Sequence, residues 1–523
     1  MPQQSSGRPH PTASTAQGPA RRRAALAGIA AAAAGLGVAE LVAAVIAPRS
    51  SPLFAAGSLV IDVAPPWLKE SVIAVVGTAD KAVIVASVAL LVAVLAAAAG
   101  LIEHSRPPWG QVLLGAVGVV GLVAATTRAD SAMLSAIPSL LAIGVGVILL
   151  RVLTRQSAAV SADPGPTGAA RRAFLITSGL AAGLGVLAVV AGRVAASGIQ
   201  AVDAARRMFT LPTPAVAAPP VPPGATLDVA GITPLVTPNE SFYRIDTALL
   251  VPSIDPANWS LTVTGMVDRG VTITFDELLA LPLEESYTTL ACVSNYVGGD
   301  LIDNALWLGH PIRKLLARAG PKAGADMVLS RSVDGFTAGT PLEALTDDRN
   351  AILAVAMNGS PLPAEHGFPV RMVVPGLFGY VSATKWVTEL KVSTFARESA
   401  YWTDRGWSAR GPVKLSSRID TPRESRQVAE GRAVVAGVAW SQHVGVSRVQ
   451  VQVDDGAWSD AVLADAISAD TWRQWSFPWD ARRGRHQLTV RATDADGRLQ
   501  TSVYADVVPD GATGLHSIVV DVG

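Results

Sequence analysis

Cysteine is almost absent from this chain, since Cys292 is the one cysteine among 523 residues. A single cysteine excludes an internal disulfide and a cysteine-based zinc finger. Its thiol is therefore an inert buried group, a nucleophile or one ligand to a soft metal. The local sequence favours chemistry, because a β-type run, Tyr287–Ala291, ends at the cysteine and polar and glycine residues follow it. These are Ser294, Asn295, Gly298 and Gly299.

An excess of charge of either sign is also missing. Lys and Arg number 42, Asp and Glu number 42, and 16% of the residues are charged, so no nucleic-acid partner is indicated. Histidine is scarce near the N-terminus, where His104 stands alone between residues 24 and 195. A b-type haem between membrane helices needs a pair of histidines. We therefore expect no haem in this chain and a separate electron acceptor or donor.

Half of the residues are hydrophobic, and the excess is concentrated in the first two hundred. Five apolar runs are long enough to cross a bilayer, which predicts a transmembrane helical domain; five such runs in succession disfavour buried helices of a soluble protein. The segment Leu53–Val76 carries charges and two prolines, so we interpret it as an amphipathic or interfacial piece. The predicted spans are Ala24–Ala47, Ala82–Ile102, Gly110–Thr127, Ser131–Leu150 and Ala173–Gly192.

Arginines predict the orientation in the cell membrane. They cluster before the first span, after the second, and between the fourth and fifth, which fall on one side if the spans alternate. The positive-inside rule then makes the N-terminus cytoplasmic, and an odd number of spans places everything after residue 195 outside. Arg171 and Arg172, directly before an apolar run, look like a twin-arginine export signal, but a positive-inside pair explains them equally well.

Past Val202 the composition changes to that of a soluble protein. The proline-dense run Leu211–Pro223 is typical of a stiff, extended linker. A strand pattern from Trp259, a short helix stopped by Pro282 and a helix bounded by Pro311 and Gly320 then indicate an α+β domain. The C-terminal part alternates in strands with Asp-Gly turns and reads as all-β, with tryptophans typical of a core.

The stretches Cys292–Leu316, His366–Gly376 and Ser382–Trp386 occur in one order that resembles the sulfite oxidase family of molybdopterin-dependent oxidoreductases. The resemblance covers roughly residues 230 to 523 and implies that the last unit is an immunoglobulin-like sandwich that forms a homodimer. We thus expect a multi-domain chain: 1–23 cytoplasmic and disordered, 24–201 a five-helix transmembrane bundle, 202–228 linker, 229–410 an α+β molybdopterin domain, and 411–523 the all-β domain.

The resemblance also implies a molybdenum-molybdopterin cofactor and its contacts. Cys292 would bind the metal, with Ser294 and Asn295 beside it. The pterin would meet His366 and Arg371. The phosphate would meet Ser382, Thr384 and Lys385, although one extra residue separates Ser382 from Lys385 relative to the family's Ser-x-Lys pattern. A further segment would lie against the cofactor through Asn239, Phe242, Tyr243 and Arg244.

Departures from the family bear on the substrate. Tyr296 stands where an arginine follows the cysteine motif, Phe336 stands at the active-site tyrosine, and the stretch around His443 lacks a further arginine. We expect Tyr296 and Phe336 to lie beside Cys292 in a catalytic pocket that lacks the family's arginines. Such a pocket favours a small, neutral or weakly charged substrate, such as a sulfoxide, and we expect two-electron oxygen-atom transfer on it.

Three alternatives remain open. The first is sulfite oxidation proper. The second is a cysteine-nucleophile hydrolase that recruits His310 or His366. The third is a non-catalytic membrane-tethered adaptor on a degenerate oxidoreductase fold.

Overall fold

The computed structural model describes residues 14–46, 50–64, 80–127, 133–162, 169–196, 206, 209–248 and 251–523. The chain divides into two compact units, Met1–Gly198 and Ile199–Gly523, and each is described by itself. Several sequence predictions fall outside the described residues. They concern residues 1–13, most of 197–208, and the second half of the Leu53–Val76 segment.

The first unit is built from apolar helices. Five of its described helices are long and apolar enough to cross a membrane: Gly18–Ile46, Val83–Ser105, Trp109–Thr126, Leu134–Val160 and Arg171–Gly192. Each of them overlaps one of the five predicted runs. The full helices are α1 (Ser14–Ile46), α2 (Pro52–Val63), α3 (Asp80–Ser105), α4 (Trp109–Thr126), α5 (Ile137–Ala162) and α6 (Ala169–Ala196).

Small residues let these helices pack closely. A Cβ added to Gly28 on α1 would lie 1.9 Å from the carbonyl oxygen of Ala96 on α3, and one added to Gly100 would lie 2.0 Å from that of Ala24. Backbone contact of this kind is available only to glycine at both positions. Helix α1 also packs against α5 and α6, so it forms the centre of the unit.

One boundary in this unit differs from the sequence predictions. Helix α1 begins at Ser14, so the described part of the segment expected to be disordered, residues 14–23, is helical. Alanine and arginine have high helix propensity and extend the helix beyond its apolar run. The described part of the segment expected to lie at the interface opens with helix α2. Its N-cap residue, Ser51, accepts a hydrogen bond from the backbone N–H of Phe54 at 3.4 Å.

The second unit begins with a mixed α and β region. A five-stranded sheet has the order β2-β1-β10-β5-β6, and a second sheet has the order β3-β4-β7-β8, with β9 paired to β7. Strand β1 pairs in parallel with β10, whereas the other pairs are antiparallel. The strands are β1 (Ser260–Gly265), β2 (Val271–Thr274), β3 (Glu284–Ala291), β4 (Ile302–Pro311), β5 (Met327–Ser332), β6 (Thr337–Pro341), β7 (Ile352–Met357), β8 (Ser360–Pro361), β9 (Arg371–Val373) and β10 (Val387–Ser393).

The helices of this region are short and have clear end signals. Helix α7 (Phe275–Ala280) has a capping box between Thr274 and Glu277, and helix α8 (Ile312–Ala319) ends at Gly320 with a left-handed φ of 70°. Both confirm the helices predicted before Pro282 and between Pro311 and Gly320. Two further short helices are α9 (Leu342–Thr346) and α10 (Gly379–Ser382).

The proline-rich segment does not stand free, which corrects the linker prediction. The backbone N–H of Ala215 donates to the carbonyl of Leu283 at 2.8 Å, and Val216 bridges to Glu284 in parallel. Phe209 and Leu211 pack against the main hydrophobic core. Proline makes the segment extended, as predicted, but the unpaired edge of β3 and the apolar residues between the prolines bind it to the unit.

The C-terminal region is all-β, as expected, and consists of two sheets with a shared core. The sheet orders are β11-β13-β17-β16 and β12-β19-β18-β14-β15, and apolar side chains from both form one buried cluster. Trp440 and Trp472 instead join the core of the preceding region, so the two regions pack as parts of one unit. The strands are β11 (Ser416–Thr421), β12 (Gln427–Val428), β13 (Gly431–Trp440), β14 (Val446–Val453), β15 (Ser459–Asp460), β16 (Val462–Leu463), β17 (Arg473–Ala481), β18 (Gly484–Asp494) and β19 (His516–Val522).

Candidate active site

A cavity of about 890 Å³, part of it open to solvent, lies in the second unit. Its walls come from segments far apart in the sequence. They include the segment before β1, the end of strand β3, the turn between β5 and β6, and the stretch from residue 366 to 386. Of the predicted site residues, it is lined by Phe242, Tyr243, Cys292, Ser294, Phe336, His366, Arg371 and Lys385.

Cys292 follows the last residue of strand β3 and lines the cavity with only 8% of its surface exposed. Burial raises the pKa of the thiol, while hydrogen bonds from the backbone and hydroxyl of Ser294 oppose that rise. The sulfur therefore meets donors on one side and the cavity on the other. A metal ion at this sulfur would favour the thiolate, as Ser294 does.

The loop after Cys292 is closed by its own backbone and by Asn295. The Cys292 N–H donates to the carbonyl of Leu301 at 2.9 Å, and the Leu301 N–H donates to Asn295 Oδ1 at 2.9 Å. Asn295 thus holds the loop and does not line the cavity. Tyr296, expected beside the metal, also lies outside the cavity lining and is 42% exposed, since the closed loop turns away at this point.

His366 and Arg371 lie together on the cavity wall. Arg371 Nη1 donates to the carbonyl of His366 at 3.1 Å, and its guanidinium lies 5.1 Å from the ring centroid of Trp307. Burial lowers the pKa of Arg371 to about 10 and that of His366 to about 3. Within the described ranges no carboxylate pairs with Arg371, so among these residues its buried positive charge faces the cavity without a counterion.

Lys385 is a second buried cation of the cavity. Its Nζ lies 2.7 Å from Asp246 Oδ2 and 3.0 Å from the carbonyl oxygen of Glu365. Arg244 Nε is 3.0 Å from the same oxygen of Asp246. Burial lowers the pKa of Lys385 to about 8, and Asp246 limits the fall. Asp246 lines the cavity and was not predicted from the sequence, whereas Arg244 does not line it.

Ser382 and Thr384, the expected phosphate contacts, are fully buried and satisfied within the chain. The Ser382 hydroxyl donates to the carbonyl of Phe378 at 2.9 Å, and Thr384 Oγ1 lies 2.7 Å from Ser330 Oγ. Neither lines the cavity. The short helix α10 turns Ser382 into the core, so that Lys385 is the member of this predicted group that reaches the cavity.

The segment around Asn239 contributes aromatic rings and backbone. Phe242 packs edge-on against His366, with ring centroids 5.6 Å apart, and stacks on Tyr243 at 5.3 Å. Burial raises the pKa of Tyr243 well above its ordinary value. The Asn239 side chain is engaged by Asn358 and by the carbonyl of Met357, so Asn239 reaches His366 only through its backbone oxygen, at 3.2 Å.

Phe336 lines the cavity as predicted, and several aromatic residues near it were missed. Tyr380, Trp386, Trp402 and Trp407 also line the cavity, as does Asp334. The dense aromatic stretch Tyr401-Trp402…Trp407 was the available sequence signal. The signal was weak because tryptophans at such spacing usually pack in cores.

The thiol and the cationic side chains of the cavity fit a molybdopterin. Such a cofactor needs one protein thiolate for the metal and cationic donors for its anionic groups. Cys292 supplies the thiolate, and Arg371 supplies a buried cation without a counterion, a state that is costly until an anion binds. Cys292 is the one thiol among the described residues that line this cavity.

The second unit is similar to several known proteins. The model of the oxidoreductase molybdopterin binding domain matches residues 248–402. Mitochondrial sulfite oxidase of Mus musculus is 29% identical over 322 residues, covering 52% of this chain and 58% of that protein. The uncharacterized oxidoreductase YuiH of Bacillus subtilis is 34% identical over 190 residues, covering 35% of this chain and 91% of that protein. The sulfane dehydrogenase SoxCD structure from Paracoccus pantotrophus aligns with a TM-score of 0.48 and 22% identity, over 56% of this chain and 84% of that one.

The chain is therefore a molybdopterin-binding oxidoreductase that uses the molybdenum cofactor. It belongs to the sulfite oxidase family. The chain spans a little over half the length of the mouse sulfite oxidase.

Proposed function

We propose that this protein is a membrane-anchored molybdenum enzyme that carries out two-electron oxygen-atom transfer on a small, not strongly anionic substrate outside the cytoplasm. The observation that carries the proposal is that Cys292 opens into the same cavity as His366, Arg371 and Lys385. A thiolate and buried cations around one space are the groups that this cofactor needs from its protein.

Each of these residues has a distinct task. Cys292 would hold the metal through its sulfur, and Ser294 would stabilise the thiolate form by donating to it. Arg371 would pair with an anionic or carbonyl oxygen of the pterin, and Lys385 with the phosphate, sharing its charge with Asp246. His366 would offer a neutral ring nitrogen for hydrogen bonding. When bound, the cofactor supplies the two-electron redox chemistry and the site of oxygen exchange.

The charges of the cavity support the substrate class. Among the described residues that line it, the cationic side chains are Arg371 and Lys385, and both are assigned to the cofactor. Phe336 and aromatic neighbours occupy the rest of the wall. A divalent oxyanion such as sulfite needs several cationic donors, and this wall has none left for it. The curated relatives named sulfite oxidase make sulfite the competing substrate.

The remaining parts of the proposal concern location and assembly. Five apolar helices would anchor the chain, with the N-terminus cytoplasmic and the second unit outside. The two-sheet C-terminal region would be the immunoglobulin-like domain and would form a homodimer, and electrons would pass to or from a separate carrier. The hydrolase alternative is weakened because no histidine is hydrogen-bonded to Cys292 among the described residues, whose thiol instead meets Ser294.

Metal analysis and one substitution test the proposal. Purified full-length protein should contain about one molybdenum and one pterin per chain. Cys292→Ser should lose turnover with an organic oxide while its circular dichroism stays unchanged, because serine is nearly isosteric but a poor soft-metal ligand. Ser294→Ala should keep molybdenum and alter its electron paramagnetic resonance spectrum, as expected for a lost hydrogen bond to the sulfur.

The contrary results are equally concrete. Protein without molybdenum or pterin would support the adaptor, and a fully active Cys292→Ser variant would remove the proposed ligand. Efficient steady-state oxidation of sulfite would keep the molybdenum enzyme and overturn the assignment of a weakly charged substrate.

A further inference from the structure

The cavity has a second wall that the cofactor assignment does not use. Four aromatic side chains line the cavity there, and we call them the aromatic wall: Phe336, Tyr380, Trp402 and Trp407. They form one connected group: Trp407 lies 5.9 Å from Tyr380 and 6.3 Å from Trp402, and Tyr401 links Trp402 to Phe336 at 5.1 and 5.7 Å between ring centroids. The hydroxyl of Tyr380 donates to the carbonyl of Ser408 at 2.7 Å and is thereby occupied.

A carboxylate stands beside this wall. Asp334, two residues before Phe336, also lines the cavity. One of its oxygens accepts the backbone N–H of Phe336 at 3.2 Å, which fixes the side chain at the turn. Across the described part of the chain Asp334 has no cationic partner. The other carboxylate of the cavity, Asp246, is already paired with Lys385 and Arg244.

Aromatic faces and a carboxylate attract cations. The negative face of an aromatic ring binds ammonium groups, most strongly for tryptophan. This group of rings already holds one cation, because the guanidinium of Arg405 lies 3.6 Å from the ring centroid of Tyr401 and donates to the Tyr401 carbonyl at 2.8 Å. The same wall disfavours an oxyanion, since its ring faces are electron-rich and the Asp334 carboxylate beside it is negatively charged.

From these charges we propose that the aromatic wall and Asp334 bind the positively charged end of a small methylated amine oxide. This assignment rests on the proposed function and names its substrate class. The methylated nitrogen would lie against the rings and Asp334, and the oxide oxygen would face the Cys292 end of the cavity. In the reaction the N–O bond breaks, and the tertiary amine oxide with two protons and two electrons gives the tertiary amine and water. A one-electron donor, reduced methyl viologen in the assay, supplies the electrons.

The test compares an amine oxide with its neutral isostere. Trimethylamine N-oxide and tert-butanol have nearly the same shape but differ in the charge on the central atom. Calorimetric titration of the molybdenum-loaded, full-length protein in detergent should show the amine oxide binding at least about tenfold more tightly. Asp334→Asn can still accept the Phe336 N–H, and it should lose about tenfold in amine oxide affinity with tert-butanol unchanged.

Two further variants complete the design. Trp402→Leu should weaken amine oxide binding as Asp334→Asn does, through loss of a ring face. Asp276→Asn removes the same charge from an exposed helix position outside the cavity and should change neither affinity. In viologen-linked turnover, Asp334→Asn should raise KM about tenfold with kcat within about twofold, because the residue binds the substrate and takes no part in the chemistry.

The outcomes separate this assignment from the proposed function. Two results overturn the amine oxide and leave the molybdenum enzyme standing. One is equal binding of the two ligands by molybdenum-loaded wild-type protein. The other is an unchanged ratio of the two affinities in both Asp334→Asn and Trp402→Leu. A wild-type preparation without molybdenum overturns the proposed function and this assignment together. Molybdenum content, measured on every variant, shows whether each has folded around its cofactor.

Discussion

A neutral histidine stands among the cationic groups of the cavity. His366 is 3% exposed, and its Nε2 lies 3.2 Å from the carbonyl oxygen of Asn239. Burial, then the charges of Arg371 and Lys385, lower its pKa to about 3. The ring is therefore neutral at every physiological pH. It can form hydrogen bonds in the cavity and carries no charge that would compete with the two cations for an anion.

This state predicts a specific sensitivity to acid. In the unfolded chain His366 takes up a proton near its ordinary pKa of 6.5, whereas in the fold it does so only near 3. The contribution of the neutral His366 to the free energy of unfolding is thus complete above pH 6.5. It is lost as the pH falls toward 3, and the loss is roughly 3 kcal/mol at pH 4. We expect His366→Gln to shift the acid transition of the second unit, followed by tryptophan emission, to lower pH.

His104→Gln is the matched control, because His104 is an exposed histidine at the end of helix α3. It should leave the acid transition where it is. Asp303 changes the stability in the opposite direction as the pH falls, since burial raises the pKa of its carboxyl to about 6. This effect is the same in both variants. An acid transition that is the same in His366→Gln and in the wild type would contradict the neutral, buried histidine.

Residue chemistry decided which site residues could be predicted from the sequence. Cys292 was recognisable because it is unique, and His366, Arg371 and Lys385 because they match family motifs. Asp246 and Asp334 match no motif, and only the fold brings them to the cavity. Ser382 matches the family but turns into the core. A motif fixes the spacing along the chain, whereas the direction of a side chain depends on the helix or turn that carries it.

Strand β3, which ends at Cys292, is held by the C-terminal β region. Thr289 on this strand donates its backbone N–H to the carbonyl of Asp470 at 3.0 Å and accepts the N–H of Trp472 at its hydroxyl, at 2.8 Å. Gln442 adds a hydrogen bond to the Thr289 carbonyl. Arg418 holds the loop after Cys292 by donating to the carbonyl of Gly299 at 2.8 Å. The all-β region is therefore part of the structure that positions the sulfur.

The proline-rich segment gives a prediction at the level of elements. Phe209, two residues before this segment, holds its start against the second unit. Phe209→Ala removes a ring that lies 5.3 Å from Phe275, and the unit should lose roughly 2 kcal/mol of stability. The measurement is the thermal midpoint of the full-length protein, followed by tryptophan emission. Val216→Ala, in the same segment but 54% exposed, should leave the midpoint within error. A free linker would make the two variants indistinguishable.

Elements with complete local signals were predictable, and those held by distant contacts were not. The helix Ile312–Ala319 carries its own start and stop in Pro311 and Gly320. The proline-rich segment shows only that it is extended, and its partner, the edge of β3, lies some seventy positions further along the chain. Likewise no local pattern shows that Trp440 and Trp472 face the neighbouring region. A division at residue 410 therefore separated regions that share a core.

At the scale of the whole molecule, the distribution of arginine predicts the orientation. If the five apolar helices span the membrane, the excess of arginine on alternate connections predicts an N-terminus inside and a C-terminus outside. Epitope tags at the two ends test this directly. In intact spheroplasts, added protease should remove the C-terminal tag and spare the N-terminal one, and both should be lost after lysis. The reverse pattern would invert the orientation, and two tags on the same side would require an even number of spans.

The arginine pair before the last span distinguishes two routes to that orientation. Arg171→Lys with Arg172→Lys keeps both charges, so the positive-inside rule predicts no change. A twin-arginine signal depends on the arginines themselves. The cavity forms only when residues from 242 to 407 have come together, and a cofactor buried there has to enter a folded unit. We therefore expect the lysine pair to leave the C-terminal tag protected in spheroplasts. Arg151→Lys with Arg155→Lys, a pair of equal charge in helix α5, should leave it accessible. If both pairs leave the tag accessible, the arginines act by charge alone.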